Sequence, residues 1–147
     1  MKIEKFEKKH LDGVVKIEEV CFAHPWSRAD LEKQIELETS HFLVATVDGA
    51  VAGYMGLQVF SGEGYVTNIG VLPQYRRRGI ARALINEELK NDMDFISLEV
   101  RKSNLPAISL YAQCGFERVG VRSNFYTSPD EDAVIMTMKR NRNEEEK

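Results

Sequence analysis

The chain has 147 residues, of which 43% are hydrophobic and 29% charged, and its formal net charge is −3. This balance predicts one globular domain over residues 1–140, with enough apolar residues for a full core. The negative charge speaks against a nucleic-acid partner and is compatible with a basic protein substrate.

There is no apolar run of about 18 residues, and Met1-Lys2-Ile3-Glu4-Lys5-Phe6 lacks the apolar stretch of a signal peptide, so the expectation is a cytoplasmic protein with no membrane partner. A first strand is predicted at 2–6. Leu11, Val14, Ile17 and Cys21 then mark one face of a helix that Pro25-Trp26 interrupts. Ser27-Arg28-Ala29-Asp30 resembles a capping box and predicts a second helix from Arg28 to about Glu38. Two strands, 41–47 and 50–60, are joined by Asp48-Gly49, a favoured two-residue hairpin turn. Ser61-Gly62-Glu63-Gly64 is the next predicted turn, and Tyr65 to Leu72 reads as a strand that Pro73 ends. Helical spacing resumes over 79–91, followed by a strand at Phe95–Arg101.

Asn104 is a candidate N-cap for a further helix carrying Ala107, Leu110, Tyr111 and Cys114 on one face, and Gly115 suits its left-handed C-terminal position. Two last strands are predicted at about 116–126 and 132–139. The fold class is α/β, a mixed and mostly antiparallel sheet with helices on both faces, in which the strand–helix–strand unit 65–101 makes one parallel pair. The tail 141–147 has no apolar residue and reads as frayed. Cys21 and Cys114 fall at apolar helical positions and read as buried reduced thiols. His10, His24 and His41 form no metal-ligand spacing, so no metal is expected.

Between the strand at 65–72 and the next helix lies Arg76-Arg77-Arg78-Gly79-Ile80-Ala81. A glycine that admits close backbone approach, basic side chains and helix N-terminal N–H groups together suit a pyrophosphate. A solvated basic turn is the alternative. Gly-x-Gly-x-x-Gly and Gly-Lys-Ser/Thr loops are both absent. In Phe95–Arg101, Ile96, Leu98 and Val100 face one way and Ser97, Glu99 and Arg101 the other. A mid-strand carboxylate such as Glu99 is either paired, with Arg101 or through a hydrogen bond, or it is chemically employed. Tyr111 is either a core tyrosine or a reacting group.

The loop 76–81 matches the Arg/Gln-x-x-Gly-x-Gly/Ala pattern of the GNAT superfamily of N-acetyltransferases. Further matches are His24-Pro25-Trp26-Ser27, Asn68-Ile69-Gly70-Val71, Leu98-Glu99-Val100-Arg101-Lys102-Ser103-Asn104, Leu110-Tyr111, Gly115-Phe116, Asn124-Phe125-Tyr126 and Pro129-Asp130-Glu131-Asp132-Ala133. In that order they resemble the RimI-type ribosomal-protein alanine N-acetyltransferases, over nearly the whole chain. Archaeal N-terminal acetyltransferases share much of the pattern.

The resemblance implies acetyl-CoA as co-substrate and a protein N-terminus, such as the alanine of a small-subunit ribosomal protein, as acceptor. It implies Glu99 as general base and Tyr111 as general acid toward the leaving sulfur. Backbone groups of Ile69, Gly70 and Val71 are implied to bind the pantetheine arm and thioester oxygen. Arg77, Arg78, Gly79, Ile80, Ala81 and Arg82 are implied to hold the pyrophosphate, and Asn104 and Tyr111 to contact the cofactor. Tyr126 is implied to hold the acceptor peptide, and Trp26 either lines the peptide groove or anchors a helix turn. The chain departs from the pattern at Phe125, which replaces a frequent tyrosine, at Gly70, which replaces a frequent alanine, and at Ala81 in place of glycine. Two other readings remain: acetylation of a lysine or small-molecule amine on the same fold, and a CoA-binding module without catalysis.

Overall fold

A computed structural model of the chain describes residues 1–139. The stretch read as a frayed tail, 141–147, lies outside the described residues. The elements follow as β1 (Lys2–Lys5), α1 (Leu11–Cys21), α2 (Arg28–Gln34), β2 (Leu43–Val47), β3 (Ala50–Phe60), β4 (Glu63–Val71), α3 (Ile80–Glu88), β5 (Phe95–Arg101), α4 (Leu105–Gln113), β6 (Glu117–Tyr126) and β7 (Glu131–Lys139). The strands form one seven-stranded sheet in the order β1-β2-β3-β4-β5-β7-β6. β4 and β5 are the parallel pair, in register at Glu63 with Phe95, Gly64 with Ile96 and Tyr65 with Ser97. The pairs β1–β2, β2–β3, β5–β7 and β6–β7 are antiparallel. A mixed sheet with one parallel pair is the arrangement the order of elements predicts.

The described residues form two compact units, 1–58 with 67–91, and 59–66 with 92–139. In the first, α1 buries Leu11, Val14 and Ile17 against Phe6, Phe42 and Tyr54. The Phe42 ring lies about six ångström from three others, at 6.2 Å from Phe6, 6.0 Å from Trp26 and 6.2 Å from Tyr54. Trp26 thus takes the anchoring role that its position also allowed. α2 begins as predicted, with Ser27 Oγ accepting from the Asp30 N–H at 3.1 Å. It stops at Gln34, four residues short of Glu38. The Ile35 N–H turns to the Glu32 carbonyl at 3.2 Å. Gln34 Oε1 accepts from Ser40 Oγ at 2.6 Å and from Gln58 Nε2 at 2.7 Å, drawing the chain back toward β3.

β2 starts at Leu43 rather than His41. The Asp48-Gly49 turn has φ of 51° and 82°, both in the left-handed region that such a hairpin requires. α3 ends at Glu88 rather than 91, because the Lys90 N–H bonds the Glu87 carbonyl and the Asn91 N–H the Glu88 carbonyl, both three residues back.

In the second unit the turn into β4 is shorter than predicted. Only Ser61 and Gly62 turn, with φ of 49° and 82°, and Gly64 lies inside the strand. A Cβ on Gly62 would stand 2.7 Å from Asp94 Oδ2. A Cβ on Gly64 would stand 2.5 Å from Met93 Sδ, so both glycines permit close approach of the segment leading into β5. β5 alternates as its sequence does, with Ile96, Leu98 and Val100 buried. Asn104 caps α4 by accepting the Ala107 N–H on Oδ1 at 3.3 Å. At the other end Gly115 adopts φ 106°, and the Phe116 N–H reaches the Tyr111 carbonyl at 3.0 Å. Cys21 and Cys114 are reduced thiols, as expected, but only half-buried, a correction to the buried reading.

Candidate active site

The basic loop is built by three backbone choices. Val71 ends β4, Pro73–Tyr75 forms one 3₁₀ turn, and the chain then enters the left-handed region at Arg77 (φ 65°) and Gly79 (φ 78°) before α3 begins at Ile80. Ile80 is buried and pins the helix to the unit, while Arg76, Arg77, Arg78 and Arg82 are exposed. Arg76 Nε donates to the Val71 carbonyl at 3.0 Å, so this arginine braces the loop against the end of β4. Arg78 lies 5.5 Å over the Tyr75 ring. A Cβ on Gly79 would meet nothing within 4 Å. An open, left-handed turn at a helix N-terminus, surrounded by arginines, has the shape and sign that a pyrophosphate needs.

The departure at Gly70 has a steric cause. A Cβ there would stand 2.9 Å from Ile17 Cγ2 and 3.2 Å from the Phe22 ring, because α1 and the chain after it press directly on β4. Gly53 on β3 is similarly close, its Cβ position lying 3.0 Å from the Gly70 carbonyl oxygen.

In the second unit Glu99 occupies the middle of β5, opposite Ile135 on β7, and its side chain is 30% exposed. Its partner is Arg122 of β6, whose Nε lies 2.9 Å from Glu99 Oε1. Register explains the pairing. Arg101, Ala133 and Arg122 form one cross-strand row and Glu99, Ile135 and Gly120 the adjacent one, so Arg122 reaches Glu99 diagonally across β7. The Arg122 side chain is 59% exposed, and a pair this wet contributes only about 0–1 kcal/mol and opens readily.

The alternative pairing of Glu99 with Arg101 is not formed. Arg101 Nη1 instead donates to the Pro129 carbonyl at 2.9 Å and to Glu131 Oε1 at 3.3 Å, and its Nη2 donates to the Thr127 carbonyl at 3.1 Å. Glu131 Oε2 accepts the Ser103 N–H at 2.7 Å. Arg101 and Glu131 therefore hold the β6–β7 turn.

The same arginine lies 4.5 Å over the ring of Tyr126. β6 bulges between Arg122 and Tyr126, with Asn124 at φ 53° and its N–H donating to Asp132 Oδ1 at 2.9 Å. The bulge places the Phe125 and Tyr126 rings edge to face at 5.0 Å. Phe125 is exposed and Tyr126 half-buried. Tyr111 is 7% exposed on α4 and packs edge-on against Phe116. Burial, then the nearby Tyr126 and Cys114, push the Tyr111 phenol well above the ordinary tyrosine range. Burial and then Glu99 also raise Tyr126, while Arg101 opposes the shift. Glu99, Tyr126 and Tyr111 are thus close enough for charge on one to act on the next.

Sequence reasoning missed Arg122, because its partner lies two strands away and no local spacing signals it. It also missed the Arg101–Glu131 clamp. Glu18 was overlooked as well, although a carboxylate four residues after Val14, on the apolar stripe of α1, was a legible signal. Among the described residues no group of three or more His, Cys, Asp or Glu is gathered as for a metal ion, and no helix is long and apolar enough to cross a membrane.

Residues 11–116 match the acetyltransferase (GNAT) family. The chain belongs to this family. It is 35% identical over 142 residues to the [ribosomal protein bS18]-alanine N-acetyltransferase of Escherichia coli K12, covering 92% of this chain and 95% of that one. It is 33% identical over 143 residues to an N-alpha-acetyltransferase of Sulfurisphaera tokodaii, covering 86% and 85%. The crystal structure of the ribosomal-protein-S18-alanine N-acetyltransferase from Escherichia coli superposes with a TM-score of 0.86 at 33% identity, over 94% of this chain and 92% of that one. The expectation of a RimI-like GNAT acetyltransferase is met.

Proposed function

We propose that this acetyltransferase moves the acetyl group of acetyl-CoA onto the N-terminal α-amino group of a protein, with the N-terminal alanine of a small-subunit ribosomal protein as the target. The observation that carries the reading is the set Glu99, Tyr126 and Tyr111. It combines a partly exposed carboxylate, an aromatic at a strand bulge, and a buried phenol that keeps its proton. The target class rests on similarity to the Escherichia coli enzyme.

An α-ammonium has a pKa of about 7.7–8.0, so near neutrality much of the acceptor must lose a proton before it can attack. The Glu99 carboxylate takes that proton, directly or through one water, once Arg122 swings away. The free amine attacks the thioester carbonyl, a C–N bond forms, and the C–S bond breaks. Attack leaves the nitrogen positively charged with a second proton to lose, and Glu99, having passed the first to solvent, takes this one. Tyr111 gives its phenolic proton to the departing thiolate and recovers one from solvent. Products are the N-acetylated protein and CoA, with no acetyl-enzyme, so neither cysteine is a nucleophile. Burial keeps the Cys21 thiol protonated despite Arg76 beside it.

Arg77, Arg78, Gly79, Ile80, Ala81 and Arg82 would hold the pyrophosphate, and backbone groups of Ile69, Gly70 and Val71 the pantetheine and thioester oxygen. Asn104, whose Oδ1 is engaged as a cap, would meet the cofactor through Nδ2. Tyr126 would hydrogen-bond the acceptor backbone, and Trp26 would border the acceptor while anchoring its turn on Phe42. The action is assigned to the cytoplasm.

The test is CoA release with four short peptides: free Ala, free Ser and free Met-Glu termini, and a blocked terminus with an internal lysine. Turnover on free Ala, with none on the blocked peptide, is expected. A lysine ε-ammonium, at a pKa of about 10.4, is much harder to deprotonate. Turnover on the blocked peptide alone would replace this reading with lysine acetylation.

A further inference from the structure

Glu18 is 1% exposed on the apolar stripe of α1. Three donors from three segments converge on its two oxygens. The Trp26 backbone N–H donates to Oε1 at 2.8 Å, the Tyr54 hydroxyl to Oε2 at 2.5 Å, and Asn68 Nδ2 to Oε2 at 2.9 Å. Asn68 Oδ1 in turn accepts the Thr67 hydroxyl at 2.8 Å, which sets the orientation of the amide. Burial, then the adjacent Glu18 carboxylate, drive the Tyr54 phenol far above its ordinary range, so it stays a donor.

Burying a carboxylate is costly, and a leucine would fill this helix position more cheaply if packing were all that mattered. A saturated, charge-assisted network instead fixes the relative positions of what it joins. Here it joins the α1–α2 connection at Trp26 to β4 at Asn68, the residue before Ile69.

We propose that Glu18 is a positioning residue that couples acetyl-donor binding on β4 to the α1–α2 connection that borders the acceptor peptide. The proposal rests on the function proposed above. Occupation of the Ile69–Val71 backbone orders β4, and the order passes through Asn68 and Glu18 to the Trp26 N–H. Because coupling between two ligands is reciprocal, the cofactor then tightens peptide binding and the peptide tightens cofactor binding by the same factor.

Glu18→Gln isolates this role. Glutamine offers one acceptor oxygen and one NH₂, so at least one of the three donors is left facing another donor. The probes are coenzyme A and an alanine-starting hexapeptide, titrated by calorimetry. Hydrogen exchange of the Trp26 amide and emission of Trp26, the single tryptophan in the chain, follow the loop directly. In the wild type, coenzyme A is expected to tighten the peptide about tenfold and to slow Trp26 amide exchange. In Glu18→Gln, coenzyme A affinity is expected to stay within about twofold, while its effect on the peptide and on Trp26 disappears. The peptide KM should rise about tenfold with kcat little changed.

A variant that keeps the full coupling overturns the proposal. So does a wild type that binds coenzyme A with no response at Trp26, a measurement that needs no variant if Glu18→Gln fails to fold. Failure of the wild type to bind coenzyme A would instead refute the proposed function, and the coupling with it.

Discussion

Glu88 shows how one side chain makes stability depend on pH. It is fully buried on α3, its Oε2 accepts Asn91 Nδ2 at 3.0 Å, and its Oε1 has no hydrogen-bond partner among the described residues. Burial pushes its carboxyl up to about 8, only partly offset by the Asn91 hydrogen bond, from an ordinary value of 4.5. Below pH 4.5 both folded and unfolded chains carry the proton. Between 4.5 and 8 the unfolded chain releases it while the folded one retains it, so stability falls as pH rises through that window and levels off above it. Glu88→Gln removes the titration. Its melting temperature should match the wild type near pH 4.5 and exceed it by several degrees at pH 8, a gain of a few kcal/mol measured by calorimetry. An equal difference at both values would contradict the assignment.

At the scale of elements, the predictions concern glycines. Gly79 sits at φ 78° with open space where a Cβ would go, so the penalty of a side chain there is conformational. Gly79→Val should strain the turn by about 1–2 kcal/mol and weaken acetyl-CoA binding about tenfold by calorimetry, with the fold intact by circular dichroism. Gly56 is the opposite case. A Cβ there would collide with Thr67 Oγ1 and stand 2.7 Å from Phe42 Cζ. Gly56→Ala should destabilise the protein by about 1–3 kcal/mol in denaturant unfolding. The sequence showed the elements but not these limits on them. β5 and α4 were legible to within a residue because alternation, an asparagine cap and a glycine stop are local signals. α2 was read too long because what ends it, Gln34 reaching Ser40 and Gln58, is tertiary. At the site, Glu99 stood out as a carboxylate in an apolar strand, whereas its true partner depended on cross-strand register.

At the scale of the whole molecule, the proposed roles divide between the two units. Donor binding falls to residues 69–71 and 77–82 of the first unit, and proton transfer to Glu99 and Tyr111 of the second. Substitutions at residues 69–71 and 77–82 should therefore change acetyl-CoA affinity, and substitution of Glu99 should change turnover. The most direct test is to measure Glu99→Gln for both quantities at neutral pH, with turnover on an alanine-starting peptide and acetyl-CoA affinity by calorimetry. The amide keeps the shape of the side chain but cannot accept the ammonium proton. With Glu99 as the base, kcat should fall by about 10²- to 10⁴-fold while acetyl-CoA affinity stays within about twofold. Near-normal turnover in Glu99→Gln would contradict that role, and the base would have to be sought elsewhere.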